Sequence, residues 1–470
     1  MLRVTLINPP QVAKYPQPPI GLALIAAVLE QKGYRVTLLD ANILGLKPKN
    51  LIPLVVEADV VGLTAITPTI GSVINIAHRL KQYKPSLTII LGGIHATLFP
   101  EETLAKAPAI DFIVKGEGEE TIVEVLHALE NGLPLDKIAG ICYRSDGQII
   151  DTASRSGSVN LDSLPFPAYH LLPWQKYQPA YPPHSTALPF TAVVTSRGCP
   201  YRCAYCYQDA SGKTFQGQSP ERVLAEITYL KERFGIKEFA FYDDIFTLDN
   251  ERAHAIADAL IKKELYLRWT CETRVDLVDK KLLQHIKQAG CYAIAYSIES
   301  ASPKILNVLQ KDTTVAQIEA AIRISREAGL QTIGNFMIGS PGESPQTIAK
   351  TIQLAKKLKL DFARFSLVIP FPGTELYRQY LKEGNVAVPW ESFIYPTADN
   401  QLIPLFTSRQ LSRNDLQDWL RRAYREFYLR PSYFWQRIKG ISTTGELKAN
   451  FKGFFVMLRN VISCRQRVTA

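Results

Sequence analysis

Three of the seven cysteines in this 470-residue chain fall together. Cys199, Cys203 and Cys206 stand in CxxxCxxC spacing within VVTSRGCPYRCAYCY (residues 193–207), directly after an apolar, β-branched run. Three thiolates from one tight loop suit a cubane iron–sulfur cluster, which ordinarily takes four cysteines. The iron left without a protein ligand is then available to another molecule. A structural zinc site would want four ligands, commonly as two paired clusters. The remaining cysteines, Cys142, Cys271, Cys291 and Cys464, are scattered singly. A disulfide is the other alternative, but thiols two or three residues apart make poor partners, and no secretory signal precedes them.

The elements that must position this loop follow from the pattern of the chain. Residues 192–195 form the strand that runs into the first cysteine, and Ser219-Pro220-Glu221 caps a helix with apolar residues at Val223, Leu224, Ile227, Leu230 and Phe234. Apolar strands follow at residues 238–242, 269–272, 293–298, 332–338 and 362–368, each separated by a helix-length segment. Six βα units predict a partial barrel with its reactive site at the carboxyl ends of the strands, where the cysteine loop also falls. Each later strand end offers a polar group or a glycine: Tyr242, Asp243 and Asp244, then Arg274, then Ser297, Glu299 and Ser300, then Gly339 and Gly342. Asp243 or Asp244 could accept from an ammonium or cap the next helix. Arg274 could meet a carboxylate or form a surface ion pair with Asp276. Taken singly, these residues also read as strand-end punctuation.

Residues 1–140 alternate strand and helix as well. Strands are expected at 3–7, 35–39, 60–63, 88–91 and 110–114, with helices opening after Pro18-Pro19-Ile20-Gly21, around residues 74–83 and after Gly116-Glu117-Gly118. The pattern predicts a parallel, doubly wound, Rossmann-like α/β sheet with a ligand above its strand ends. No GxGxxG follows the first strand, so a dinucleotide has little local support. Residues 141–143 and 148–151 read as a hairpin opening a Pro- and aromatic-rich connector over 141–190, with a barrel domain at 191–400.

The cysteine loop resembles the cluster-binding loop of radical SAM enzymes, with Tyr205 as the aromatic residue before the last cysteine. PPIGLALIAAVLEQKGYRVTLLD, LGGIHATLFPE and VKGEGEET together resemble the cobalamin-binding domain fused ahead of such barrels. The resemblance implies three cofactors: a four-iron cluster on Cys199, Cys203 and Cys206, S-adenosylmethionine (SAM) on its open iron, and cobalamin. It places Asp243 or Asp244 at the SAM ammonium, though the family's usual glycine pair is missing there. Ser297, Glu299 and Ser300 fall at the ribose and carboxylate, and Gly339 and Gly342 beside the adenine. Gly21, Gly92, Gly93, His95, Gly116, Glu117 and Gly118 fall to cobalamin. The DxHxxG loop that supplies a histidine to cobalt in other cobalamin carriers is absent, so His95 reads as a cobalt neighbour or as a loop residue. The implied activity is methylation of an unactivated carbon. An oxidative cyclase or rearrangement enzyme, like the anaerobic magnesium-protoporphyrin monomethyl ester cyclase, and a non-catalytic cofactor-binding or regulatory protein are the alternatives. An electron donor such as flavodoxin or ferredoxin and a small, possibly hydrophobic substrate complete the expected partners.

Composition bounds the rest. The chain is 46% hydrophobic and 21% charged, with no run of about 18 apolar residues, so a globular protein of the reducing cytosol is expected. Residues 401–470 hold 13 Lys and Arg against four Asp and Glu, nearly the whole net charge of +10. There Trp419, Tyr424, Phe427, Tyr428, Tyr433, Phe434 and Trp435 interleave with arginines, and Phe451, Phe454 and Phe455 follow. Such a basic helical tail could lie on an anionic membrane or cover the open side of the barrel. Nucleic acid is not expected, since no RNA-binding module is visible.

Overall fold

The computed structural model describes residues 1–11, 16–155, 157, 159–179, 188–207, 214–384, 393, 405–407 and 410–439. The chain divides into two compact units, the first built on Met1–Tyr177 and the second on Gln178–Val386.

In the first unit, apolar runs alternate with amphipathic segments as β1 (Arg3–Asn8), α1 (Ile20–Gln31), β2 (Arg35–Asp40), α2 (Pro48–Leu51), β3 (Val60–Thr64), α3 (Ile70–Tyr83) and β4 (Thr88–Gly92). They continue as α4 (Ile94–Leu98), α5 (Pro100–Lys106), β5 (Phe112–Val114), α6 (Glu119–Asn131), β6 (Ile141–Ser145) and β7 (Gln148–Asp151). The strand order is β2-β1-β3-β4-β5-β6-β7, parallel from β2 to β5. The order reverses between β1 and β3, where open sheets of this kind bind their ligand. Ile7, Val61, Leu63, Ile89 and Leu91 are fully buried beneath α3, whose Val73, Ile76 and Leu80 share one face.

The expected domain boundary at residue 140 falls later. The hairpin β6–β7 adds to the sheet antiparallel beside β5, because β5 otherwise ends the sheet with an unpaired edge. Beyond it, Tyr177 is buried and its hydroxyl donates to Asp40 at 2.7 Å, so the segment read as connector belongs in good part to this unit. Its 180–187 stretch lies outside the described residues.

The second unit comprises β8 (Phe190–Val193), β9 (Ser196–Arg197), β10 (Gln216–Gly217), α7 (Pro220–Phe234), β11 (Glu238–Phe241), α8 (Asn250–Lys262), β12 (Arg268–Thr273), α9 (Lys280–Gln288) and β13 (Cys291–Glu299). Then come α10 (Pro303–Val308), α11 (Val315–Glu327), β14 (Gln331–Ile338), α12 (Pro345–Lys357), β15 (Phe362–Leu367), α13 (Glu375–Lys382), α14 (Arg413–Tyr428) and α15 (Pro431–Lys439). Six of its strands form one parallel sheet in the order β15-β14-β13-β12-β11-β8, which leaves β8 and β15 as free edges of an open barrel. Local chemistry starts and stops the helices. Ser219 accepts from the Arg222 amide to open α7, and Gly235 closes it at φ +64°. Trp269 is fully buried, stacked with Phe239 and edge-on to Phe241 and Phe246. Burying each such side chain contributes about 1.5–3 kcal/mol.

The first helix of the tail covers one free edge. The Tyr428 hydroxyl accepts from the Ala363 amide and donates to its carbonyl, and Tyr424 does the same at Phe365. Two phenols one helical turn apart thus replace the missing strand beside β15. Phe427 is fully buried against Phe365, and Tyr433 donates to the Asp361 carbonyl. For these residues the structure takes the barrel-cover alternative over the membrane one. Trp435 stays 66% exposed, and Phe451, Phe454 and Phe455 lie outside the described residues. Among the described residues no helix is long and apolar enough to cross a membrane.

Candidate active site

The carboxyl end of β8 turns into the cysteine loop through Gly198, whose φ of +85° allows the tight reversal. Ala204 pins the loop in place. Its amide donates to the Leu309 carbonyl and its carbonyl accepts from the Leu376 amide, both at 2.9 Å, while its methyl packs among Ile305, Leu309, Val368 and Leu376. Cys203 is buried and Cys206 opens to solvent. The protein packed around Cys206, and then the neighbouring Cys203, push its thiol up to about 12. Among the described residues no three His, Cys, Asp or Glu side chains converge on one point as a single ion would require. A cubane takes each thiolate on a separate iron, so three thiols spread over one loop fit a cluster rather than a lone metal.

A cationic network supports the loop from beneath. The Arg274 guanidinium stacks 3.6 Å from the Tyr201 ring centre, donates to the Lys311 carbonyl at 2.8 Å and lies 3.9 Å from the Cys203 sulfur. It pairs with Asp276 at 3.0 Å, one of the two alternatives read from sequence, but the pair is not on the surface, since Arg274 is only 3% exposed. Tyr205 donates from its hydroxyl to Glu299 at 2.8 Å, and Lys311 donates to both. Glu299 adopts φ +65°, a conformation costly for a residue with a Cβ, at a break in register between β13 and β14. Lys311 was missed from sequence, because a lysine after a short helix carries no local signal. It is buried and 3.3 Å from Glu299.

The two aspartates after β11 divide. Asp243 is buried and accepts from the Thr195 amide and hydroxyl and the Ser196 amide, with Arg252 at 3.9 Å. Its carboxylate ties the base of the cysteine loop to the second strand and is not available to an ammonium. Asp244 is open at the mouth, and burial by the surrounding protein raises its pKa. Ser300 turns outward to Thr351 of α12, while Ser297 makes no such bond. Gly339, at φ +89°, donates its amide to Glu343 at 2.6 Å and packs beneath Leu416, so its N–H is already engaged. Gly342 reverses the chain at φ +72°. Glu343, also unread from sequence, is held by the amides of Gly339 and Ser340, and burial raises its pKa to about 7.

In the first unit the residues assigned to cobalamin gather at the carboxyl edge of the sheet. Gly92 and Gly93 end β4. A Cβ on Gly93 would stand 2.7 Å from the Ala65 carbonyl oxygen and the Thr64 hydroxyl, so a side chain there is excluded. Gly21, in the first turn of α1, and Gly116, after β5, have nothing among the described residues within 4 Å of such an atom, which leaves open space at both positions. Glu117 and Gly118 follow into α6, Gly118 beside Ile25. His95 is fully buried in α4, 3.1 Å from the Thr67 hydroxyl and against the Phe99 ring. Burial lowers its pKa to about 4, so it is a neutral packing residue with its ring inside the unit.

Comparison with known proteins resolves these folds into a class. Residues 11–126 match the family model of the B12 binding domain, and residues 193–355 that of the Radical SAM superfamily. The chain is 34% identical to an uncharacterized methyltransferase of Pyrococcus horikoshii, PH0819, over 92% of this chain and 93% of that one. The chain therefore belongs to the cobalamin-dependent radical SAM enzymes. It is also 29% identical to the anaerobic magnesium-protoporphyrin IX monomethyl ester cyclase of Rubrivivax gelatinosus, over 88% of this chain and 74% of the cyclase. In fold it resembles the radical SAM methyltransferase TsrM of Kitasatospora setae, solved with cobalamin and an iron–sulfur cluster, at TM-score 0.72, 19% identity, and 92% and 90% coverage.

Proposed function

We propose that the protein is a cobalamin-dependent radical SAM methyltransferase acting on an unactivated carbon of a small molecule. The observation that carries the proposal is the end-to-end match to a chain named as a methyltransferase, with both cofactor domains in place. When bound, the cluster supplies the electron that splits SAM and cobalamin supplies the methyl group.

The chain's own part is to hold and to exclude. Cys199, Cys203 and Cys206 are the cluster ligands in this reading, and the buried Arg274 guanidinium stands 3.9 Å from the Cys203 sulfur. Tyr205, Lys311 and Glu299 lock the loop between two strand ends, which keeps the thiols in one geometry. Asp244, the open member of its pair, accepts from the SAM ammonium. Ser297 faces the ribose, and the turn at Gly339 and Gly342 bounds the adenine. In the first unit, the surface of Gly21, Gly92, Gly93, Gly116, Glu117 and Gly118 takes cobalamin without an imidazole on cobalt. A flavodoxin- or ferredoxin-type donor in a reducing cytosol would supply electrons.

Methyl-labelled SAM tests the reaction class. Label in the product supports methyl transfer. An unlabelled, oxidised product would favour cyclisation, which the second relative performs by name.

A further inference from the structure

The inner face of the open barrel can be read from its register. Glu272 pairs with Ala295; two residues on, Ser297 pairs with Asn335, and Asn335 with Arg364. Residues paired across parallel strands point to one side, and sides alternate along each strand. Tyr296, one residue out of phase, meets Ser325 of α11, and Phe365 packs edge-on to Tyr424 of α14. That second side therefore faces the helices. Glu272, Ser297, Asn335 and Arg364 face inward.

Glu272, half-buried at its strand end, differs from the buried acids of this unit. Glu226, Glu238, Asp243, Glu299 and Glu343 are met by Arg222, Tyr292, Thr195, Lys311 and two backbone amides respectively. No hydrogen bond from the described residues reaches the carboxylate of Glu272 or of Asp244. Burial, and then the charge of Asp244, raises the pKa of Glu272. A second observation is independent of the acids: the side-chain oxygen of Asn335 is shielded from solvent and meets no donor among the described residues. An enclosed acceptor left without a donor costs about 1–3 kcal/mol, so Asn335 favours a molecule that brings one to this face.

We infer that this wall binds a water-soluble, amine-bearing substrate, with Glu272 taking the ammonium and Asn335 a further donor. The inference rests on the reading of this mouth as the active site and names its substrate class. An ammonium supplies the counter-charge that the described residues withhold from Glu272, while Asp244, whose charge acts on Cys199, is left to the amino group of SAM. Arg364 ends the row on β15, so the face runs from acid to base and suits a substrate whose positive end points to β12. A polyisoprenoid or a plain hydrocarbon would bury both acceptors dry.

The test uses the full chain carrying its cluster and cobalamin, with SAM and a reductant. A cell extract is divided into a chloroform-soluble fraction and aqueous fractions retained or not retained by a cation-exchange resin. Formation of 5′-deoxyadenosine above the substrate-free rate is the readout, which does not depend on whether a methyl group is transferred. The retained fraction should stimulate the wild type, and Glu272→Gln should reduce that stimulation about tenfold or more. Asn335→Ala should reduce it less. Circular dichroism and iron content establish that each variant is folded. Stimulation only by another fraction, or by none, overturns the inference, as does a Glu272→Gln variant that responds like the wild type. Methyl label in the stimulated product, scored separately, decides the methyltransferase reading.

Discussion

The two sheets present their ligand edges in opposite ways. In the first unit the edge carries Gly92, Gly93 and Gly116 beside one hydrogen-bonded pair, Asn8 and Asp40, and His95 near it is buried, neutral and turned inward. In the second the edge is built from charged side chains in separate pairs: Lys311 with Glu299, Arg274 with Asp276, and Asp243 with Arg252. A broad macrocycle is gripped over area and wants flatness, whereas a cluster and a charged sulfonium want fixed charges at fixed points. The first edge therefore depends on the absence of side chains at its glycines, and the second on the pairing of its charges.

Removing the thiols breaks the second edge completely. Changing Cys199, Cys203 and Cys206 to Ala should take reconstituted iron from about four per chain to none and abolish SAM cleavage. Iron retained in the triple variant would end the assignment. Next in size is Lys311→Ala, which leaves Glu299 buried without its cation and should cost about 3–5 kcal/mol of stability in urea unfolding. A loss below about 1 kcal/mol would show that the network is ornamental to the fold.

The two edges should also respond to pH with opposite sign. His95 has its pKa lowered by burial from 6.5 to about 4. Its contribution is complete above the unfolded value and is lost as pH falls through the folded one. Glu343 has its pKa raised by burial from 4.5 to about 7. Its contribution is complete below the unfolded value and is lost as pH rises through the folded one. Each is worth at most about 3 kcal/mol. Relative to wild type, Glu343→Gln should therefore gain between pH 5 and pH 8. His95→Gln should gain as pH is lowered from 7 to 5. Differences that stay constant with pH would remove both assignments.

Subtler still is Gly21→Ala. Among the described residues nothing lies within 4 Å of the added methyl, so stability should hold while cobalamin binding weakens. Undiminished binding would move the ligand off this face. The smallest effect is expected from His95→Ala, which should leave the absorption spectrum of bound cobalamin nearly unchanged; a large shift would place the ring on cobalt after all.

Short-range chemistry was legible in the chain. Cysteine spacing, the capping Ser219 and the alternation of apolar strand with amphipathic helix are each set by residues within a turn or two of one another. They sufficed for two parallel α/β sheets and for the mouth at which the cysteines lie. What lay beyond sequence was partnership across the sheets. Whether Asp243 or Asp244 stayed open depended on Thr195, 48 residues before Asp243 in the chain. That Lys311 belongs to the site depended on Tyr205, 106 residues away. That Tyr424 and Tyr428 finish the edge of β15 and not a membrane surface depended on a strand about 60 residues earlier. Local spacing specifies which elements form; which buried polar groups meet is decided only when strand register and helix packing bring distant residues within hydrogen-bond reach.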